Sequence, residues 1–205
     1  MDYTKLASKE TVEKTSAALT AHNFKPITLA TGKDALEYIK KTIPAGASVM
    51  NGASTTLQQI GYVDYLKEGT HGWNNLQEAI VAEKDPAKQA VLRKQAVISD
   101  FYLGSVHAAT ETGELVISSN SGSQLPELAF TSPNLILIVS TKKITPTVQD
   151  AFERIEKHVV PLEDARMRQA AGYGTARNKT LILHAENPAI GRSVHVVFVE
   201  EDLGF

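Results

Sequence analysis

Leu135-Ile136-Leu137-Ile138-Val139-Ser140 is the stretch on which the fold turns. Its run of apolar residues leaves no alternate position polar enough to face water, so it reads as a strand buried on both sides of its sheet. Such strands belong to sheets covered by helices on both faces, which requires strands and helices to alternate along the chain. The flanking sequence does alternate. Downstream, Thr145-Pro146 starts a helix with Val148, Ala151, Phe152, Ile155 and Val159 on one face, and Thr180 to His184 and Val194 to Glu200 read as closing strands.

Upstream, Val106 to Thr110 and Leu115 to Ser118 read as strands around Glu111-Thr112-Gly113-Glu114, where the glycine suits a tight turn. Ser119 to Pro126 is the most loop-like segment, followed by a short helical turn through Leu128 and Phe130. Asp85-Pro86 caps a helix that Val91, Leu92 and Ile98 carry to about Tyr102. Gly61 to Asn75 has no clean period; its Tyr62, Tyr65 and Trp73 suit either a covering flap or a homodimer surface. Ser48-Val49-Met50 is a strand entering Asn51-Gly52, and Ser54-Thr55-Thr56 caps a helix carrying Leu57 and Ile60. Further upstream, Thr31 with Asp34 forms a capping pattern for a helix marked by Ala35, Leu36, Ile39 and Ile43 and stopped at Pro44-Ala45-Gly46. Phe24 to Ala30 is a strand, and Leu6, Val12 and Leu19 mark an amphipathic helix reaching about His22. The expected architecture is α/β, with a mostly parallel sheet covered on both faces.

With 205 residues the chain is expected to form one domain, residues 1–205, with 1–22 as an N-terminal helical extension. The sequence shows no internal repeat and no linker. Lys+Arg 21 against Asp+Glu 23 gives a net charge of -2, too little positive field for a nucleic-acid partner or an acidic membrane. Cysteine is absent, which removes disulfides, thiolate metal sites and a cysteine nucleophile. The six histidines show no close metal spacing, so no metal site is expected, and no motif identifies a cofactor. The N-terminal residues do not form the apolar stretch of a signal peptide, and no apolar run approaches the roughly 20 residues of a membrane span. A cytoplasmic location is the expectation.

Three segments are candidates for chemistry. Asn51, Gly52, Ala53, Ser54 and Thr55 leave a strand and open a helix, where backbone N–H groups and hydroxyls suit a phosphate or carboxylate; an ordinary capped helix after a turn fits equally. Ser121, Gly122, Ser123 and Gln124 follow a strand and offer small donors, and a flexible polar connection accounts for them as well. In a period of two, His107 and Glu111 fall on one side, which suits acid–base work or acyl transfer by Glu111; a solvated turn glutamate and a satisfied core histidine are the plainer account. Thr112 and Gly113 belong to that turn. Lys142-Lys143 ends the buried strand and reads either as a source of cationic donors or as solvated surface, with Lys142 the candidate ligand contact.

Two of these segments carry a family resemblance. Asn51-Gly52-Ala53-Ser54-Thr55-Thr56-Leu57-Gln58-Gln59-Ile60-Gly61 and Ala108-Ala109-Thr110-Glu111-Thr112-Gly113-Glu114-Leu115-Val116-Ile117 resemble the lactate-utilisation (LUD) domain family in order and spacing. Lys142 to Asp150 and Gly191 to Phe198 add to it, so that the likeness spans about Thr31 to Phe205. It implies a three-layer α/β/α sandwich with a Rossmann-like sheet, similar to ribose-phosphate isomerases, glucosamine-phosphate deaminases and CoA transferases. In that wider group the loop matching Asn51 to Thr55 cradles a phosphate, and a glutamate accepts the acyl group in the transferases, for which Glu111 is the residue to test. The implied role lies in lactate or related organic-acid metabolism, with a small anionic or polar metabolite bound between the Asn51 loop, the Glu111 turn and the Ser121 loop. The alternatives are a stand-alone isomerase-like or CoA transferase-like enzyme and a non-catalytic metabolite-binding or assembly subunit. Iron–sulfur partner subunits are implied for lactate oxidation, because a cysteine-free chain cannot hold such clusters itself.

Overall fold

A computed structural model describes residues 2–205. Its central sheet holds six parallel strands, β1 (Lys25–Leu29), β2 (Ser48–Asn51), β3 (Asn74–Asn75), β4 (Phe101–Gly104), β7 (Asn134–Ser140) and β10 (Ser193–Val199). They lie in the order β1-β10-β7-β4-β2-β3. A smaller sheet, ordered β8-β5-β6-β9, contains β5 (Ala108–Thr110), β6 (Leu115–Ser119), β8 (Ile144–Thr145) and β9 (Lys179–Leu183). The helices are α1 (Lys9–Ala21), α2 (Gly32–Thr42), α3 (Thr55–Gln59), α4 (Tyr62–Lys67), α5 (Leu76–Ala82), α6 (Pro86–Gln95), α7 (Val148–Arg154) and α8 (Val160–Ala171).

The pleat of β7 explains the layers. Leu135, Leu137 and Val139 join Val12 and Leu19 of α1 and Leu115 and Ile117 of the small sheet in one apolar cluster. Ile136 and Ile138 point the other way, to Ala35 and Ile39 of α2, Leu57 of α3 and Tyr62 of α4. Every side chain from Leu135 to Val139 is fully buried, and at about 1.5–3 kcal/mol for each such residue this strand is a large part of the core. Helices flank the parallel sheet as a three-layer α/β/α fold requires. The small sheet is inserted on the α1 side, and its own outer face, through Ala108 and Val116, packs on Ala151 of α7.

Several expectations are corrected. The helix after Asp85 ends at Gln95, and Phe101–Gly104 is a strand. Ile98, which fits the helical stripe, is 76% exposed, while β4 lies between β2 and β7 and satisfies its backbone on both edges. Asp100 pins the start of this pairing by accepting from the Ser48 N–H (2.8 Å) and hydroxyl (2.7 Å). Thr145 belongs to a short strand, and α7 begins at Val148 with Thr147 capping the Asp150 N–H. Gly61 to Asn75 is not irregular throughout: it contains α4 and the edge strand β3, with Tyr62 and Trp73 buried in the second apolar cluster. The hairpin β5–β6 and the strand β9 form a sheet of their own and do not extend the central one. Among the described residues no helix is long and apolar enough to cross a membrane.

Candidate functional site

β2 and β4 run parallel and side by side, so the segments that leave them emerge at one end of the sheet. There, between the central and small sheets, lies a cavity of about 580 Å³. One part of its lining is the loop from Asn51 to Thr56; another is formed by His107, at the start of the hairpin, and by Ser118 to Ser121, Ser123 and Gln124, at its end. Lys143 and Gly204 also border the cavity, as do Glu163 and Arg166 of α8.

Local chemistry shapes each wall. Ser54 caps α3 by accepting from the Leu57 N–H at 3.3 Å. Since α3 is only five residues long, its dipole contributes little, and hydroxyls and amides define this wall. Gly52 permits the loop to cross the buried Tyr102: a Cβ there would sit 2.8 Å from the phenolic oxygen. Asn51 donates through Nδ2 to the Gly52 carbonyl (3.2 Å), while its buried Oδ1 has no partner. In the segment after the hairpin, Ser119 donates to Gln124 Oε1 (3.0 Å) and accepts from the Gly122 N–H (2.8 Å), which folds the loop onto itself. Gly122 lies behind the wall, beside the stem of Lys179.

His107 accepts a hydrogen bond at Nδ1 from the Ser118 N–H (3.0 Å). The neutral ring therefore carries its proton on Nε2. Burial is the main cause that pushes its pKa down to about 3, with the neighbouring basic groups Lys143 and Arg154 acting in the same direction. Arg154 is fully buried; its Nη1 donates to the His107 carbonyl (2.7 Å), while Nε and Nη2 have no protein partner.

Lys143 is the most unusual group. It is 3% exposed, and Nζ donates to Thr56 Oγ1 (3.0 Å) and Ser105 Oγ (3.1 Å). Among the described residues no carboxylate forms an ion pair with it. Burial, followed by the charges of Arg154 and Lys142, holds its pKa well below the usual lysine range. Gly204, at φ +66°, closes over it: a Cβ there would lie 2.8 Å from Lys143 Nζ and nearer still to Thr56 Oγ1. The one acidic side chain of the lining, Glu163, is bound in bidentate fashion by Arg166 (2.7 and 2.6 Å).

The structure thus gathers Asn51, Gly52, Ala53, Ser54, Thr55, His107, Ser121, Ser123 and Gln124 around one cavity. Glu111, Thr112 and Gly113 lie elsewhere, because the cavity takes the open end of the hairpin and they form its closed end. Four residues of extended chain separate His107 from Glu111 by about 13 Å. Glu111 pairs with Lys14 of α1 at 2.8 Å, Thr112 donates to Glu114 (2.6 Å), and the Gly113 carbonyl meets His22 Nδ1 (2.9 Å). The expected shared face of His107 and Glu111 is therefore not formed. Lys142 and Lys143 are both buried, which excludes the solvated-surface reading of the pair. Lys142 turns from the cavity to Asp202 and to the Gly204 carbonyl (2.7 Å).

Sequence reasoning overlooked Ser105 and Arg166 at the cavity, and also Glu127. The Glu127 carboxyl is buried without a partner at Oε2, and burial pushes its pKa up to about 7. A second depression, between α7 and β9, is lined by Phe152 and by the paired Glu156 and Arg177. Among the described residues no group of three or more His, Asp or Glu could hold a metal ion.

A parallel sheet with a polar cavity beyond the carboxyl ends of its strands defines an α/β protein of the Rossmann-like, three-layer class. Within that class the chain belongs to the LUD domain family, whose model matches residues 12–199. It is similar in fold to a DUF162 family protein from Deinococcus radiodurans known from its crystal structure, with a TM-score of 0.54 and 12% identity over 95% of this chain and 99% of that one. No curated protein matches it.

Proposed function

We propose that this chain binds a small anionic metabolite of organic-acid metabolism in the cavity between the Asn51 loop and the Ser118–Gln124 wall. Lys143 carries the reading. A buried amine held by two hydroxyls, in a cavity whose one acidic side chain is already paired, has no ion-pair partner among the described residues. An entering carboxylate or phosphate supplies it, raises the amine's pKa and brings a proton with it. Hydroxyls and amides along both walls then take the remaining ligand oxygens. The family's link to lactate utilisation suggests the organic-acid class.

Thermal-shift titration with L-lactate, pyruvate, ribose 5-phosphate and acetyl-CoA tests this. A ligand at about 100 times its Kd stabilises the native state by about 2.7 kcal/mol. At least one of these compounds should raise the Tm of the native chain and leave that of Lys143→Met unmoved. Proton uptake predicts that the affinity weakens as pH rises, approaching about tenfold per pH unit. No shift with any of the four anions would end the proposal.

A further inference from the structure

A simple electrostatic anchor for an anion would be charged before the anion arrives, and the surroundings of Lys143 disfavour that charge. Arg154 and Lys142 oppose a charge on it, and His107 offers none, being neutral. Asp202, the acidic residue nearest in role, is taken by Lys142. An uncharged amine has two hydrogens, and two hydroxyls, Thr56 and Ser105, accept both. The remaining valence of Nζ is a lone pair, to which no group among the described residues donates. Desolvation and neighbouring cations are the means by which a lysine becomes a nucleophile toward carbonyl carbon. His107 borders the same cavity, and its Nε2–H has no partner among the described residues, which leaves it a donor for a carbonyl oxygen.

We propose that Lys143 forms an imine with a small 2-oxo acid, a ligand that carries its anionic group beside its carbonyl. The inference rests on the anion-binding reading of the same cavity and adds a covalent step. The Nζ lone pair attacks the carbonyl carbon and the C=O π pair moves to oxygen, which takes one proton from nitrogen. The resulting carbinolamine loses its hydroxyl together with the second nitrogen proton as water, leaving C=N. One water departs for each imine formed, with no oxidant or reductant. Protonation of the imine sets a cation beside the ligand's own carboxylate, the charge partner that the free amine lacks. During the addition the His107 Nε2–H supports the oxygen.

The full chain is incubated at pH 7 with pyruvate and sodium cyanoborohydride, then analysed by intact mass and peptide mapping. Surface lysines hold less than about 0.1% of their amines as free base at this pH. A gain of one carboxyethyl group should therefore appear at Lys143 at least about tenfold faster than at any other lysine. L-Lactate, which has no carbonyl, should slow the labelling without giving an adduct, and Lys143→Met should take none at that rate. Mapping of the native chain decides the matter even where that variant folds poorly. A thermal shift with pyruvate but no adduct at Lys143 would overturn the imine and leave the anion site standing; neither shift nor adduct with pyruvate would overturn the imine, and the anion site falls with it where the other three anions give no shift either. Labelling spread evenly over the lysines would also overturn it.

Discussion

Replacing Lys143 by methionine should make the ligand-free protein more stable, and the size of the gain follows from the site. Methionine has a similar length and fills the same space. Imine formation requires an uncharged amine at pH 7, and since a lysine in the unfolded chain titrates near 10.4, holding it so costs about 4–5 kcal/mol. Against this, the substitution removes two neutral hydrogen bonds, to Thr56 and Ser105, together about 2 kcal/mol. The net gain at pH 7 is about 2–3 kcal/mol, or roughly 4–12 °C in Tm for a chain of this size. The native protein releases a proton on folding below pH 10, so its own stability rises with pH, and the advantage of the variant shrinks by about 1.4 kcal/mol per pH unit. At pH 9 it should be close to zero. Urea denaturation of both proteins at pH 7, 8 and 9 measures this. A variant that is less stable by the same amount at every pH would show that Lys143 is charged and compensated, and the reasoning would fail. Such a gain, coupled to loss of the ligand response, is the exchange of stability for function expected at a binding site.

Glu111→Gln should change stability by about 1 kcal/mol or less, since its partner Lys14 is solvent-facing, and should leave any ligand-induced thermal shift intact; a lost shift would place the site at the hairpin turn after all. Glu127→Gln should remove one pH dependence from folding. The folded carboxyl keeps its proton up to about 7 against a reference of 4.5, so its stabilising contribution is complete at acid pH and is lost as pH rises through this window, by about 3 kcal/mol. The difference in unfolding free energy between native protein and variant, followed by urea titration from pH 4.5 to pH 8, should show that slope; a flat difference would mean that the carboxyl is solvated.

The parts of the fold that a local pattern determines were legible. Thr31 and Asp34 form the reciprocal cap their spacing predicts, and Ser54 and Asp85 cap their helices. The apolar run at Leu135 lies at the heart of the sheet. What misled was competition between local and non-local partners. Val91, Leu92, Ile98 and Tyr102 fit a helical stripe, yet Tyr102 lies in a strand because β2 and β7 offer its backbone a ladder on both sides. Division of the strands between two sheets was equally hidden, since alternation marks the buried face of a strand but does not name its neighbour.

The site shows the same limit at the scale of one residue. Both walls of the cavity were marked by their composition, because small polar residues after strands are what a strand-end pocket requires. The Glu111 turn was grouped with them because it, too, follows a strand. A hairpin has two ends, however, and only packing decides which end meets the central sheet: His22 and Lys14 of the α1 region hold the turn, which leaves His107 and Ser118 at the cavity. Lys142 and Lys143 differ in sequence by one step. They fall within a single 3₁₀ turn, Thr141–Lys143, where successive side chains are about 120° apart around the axis. One step therefore carries Lys142 to Asp202 and Lys143 to Thr56 and Ser105. Lys142 thereby ties down the segment whose Gly204 covers Lys143, so that one lysine helps to bury the other and to lower its pKa. The reactive state attributed to Lys143 is a property of this pair, and neither residue's identity alone could reveal it.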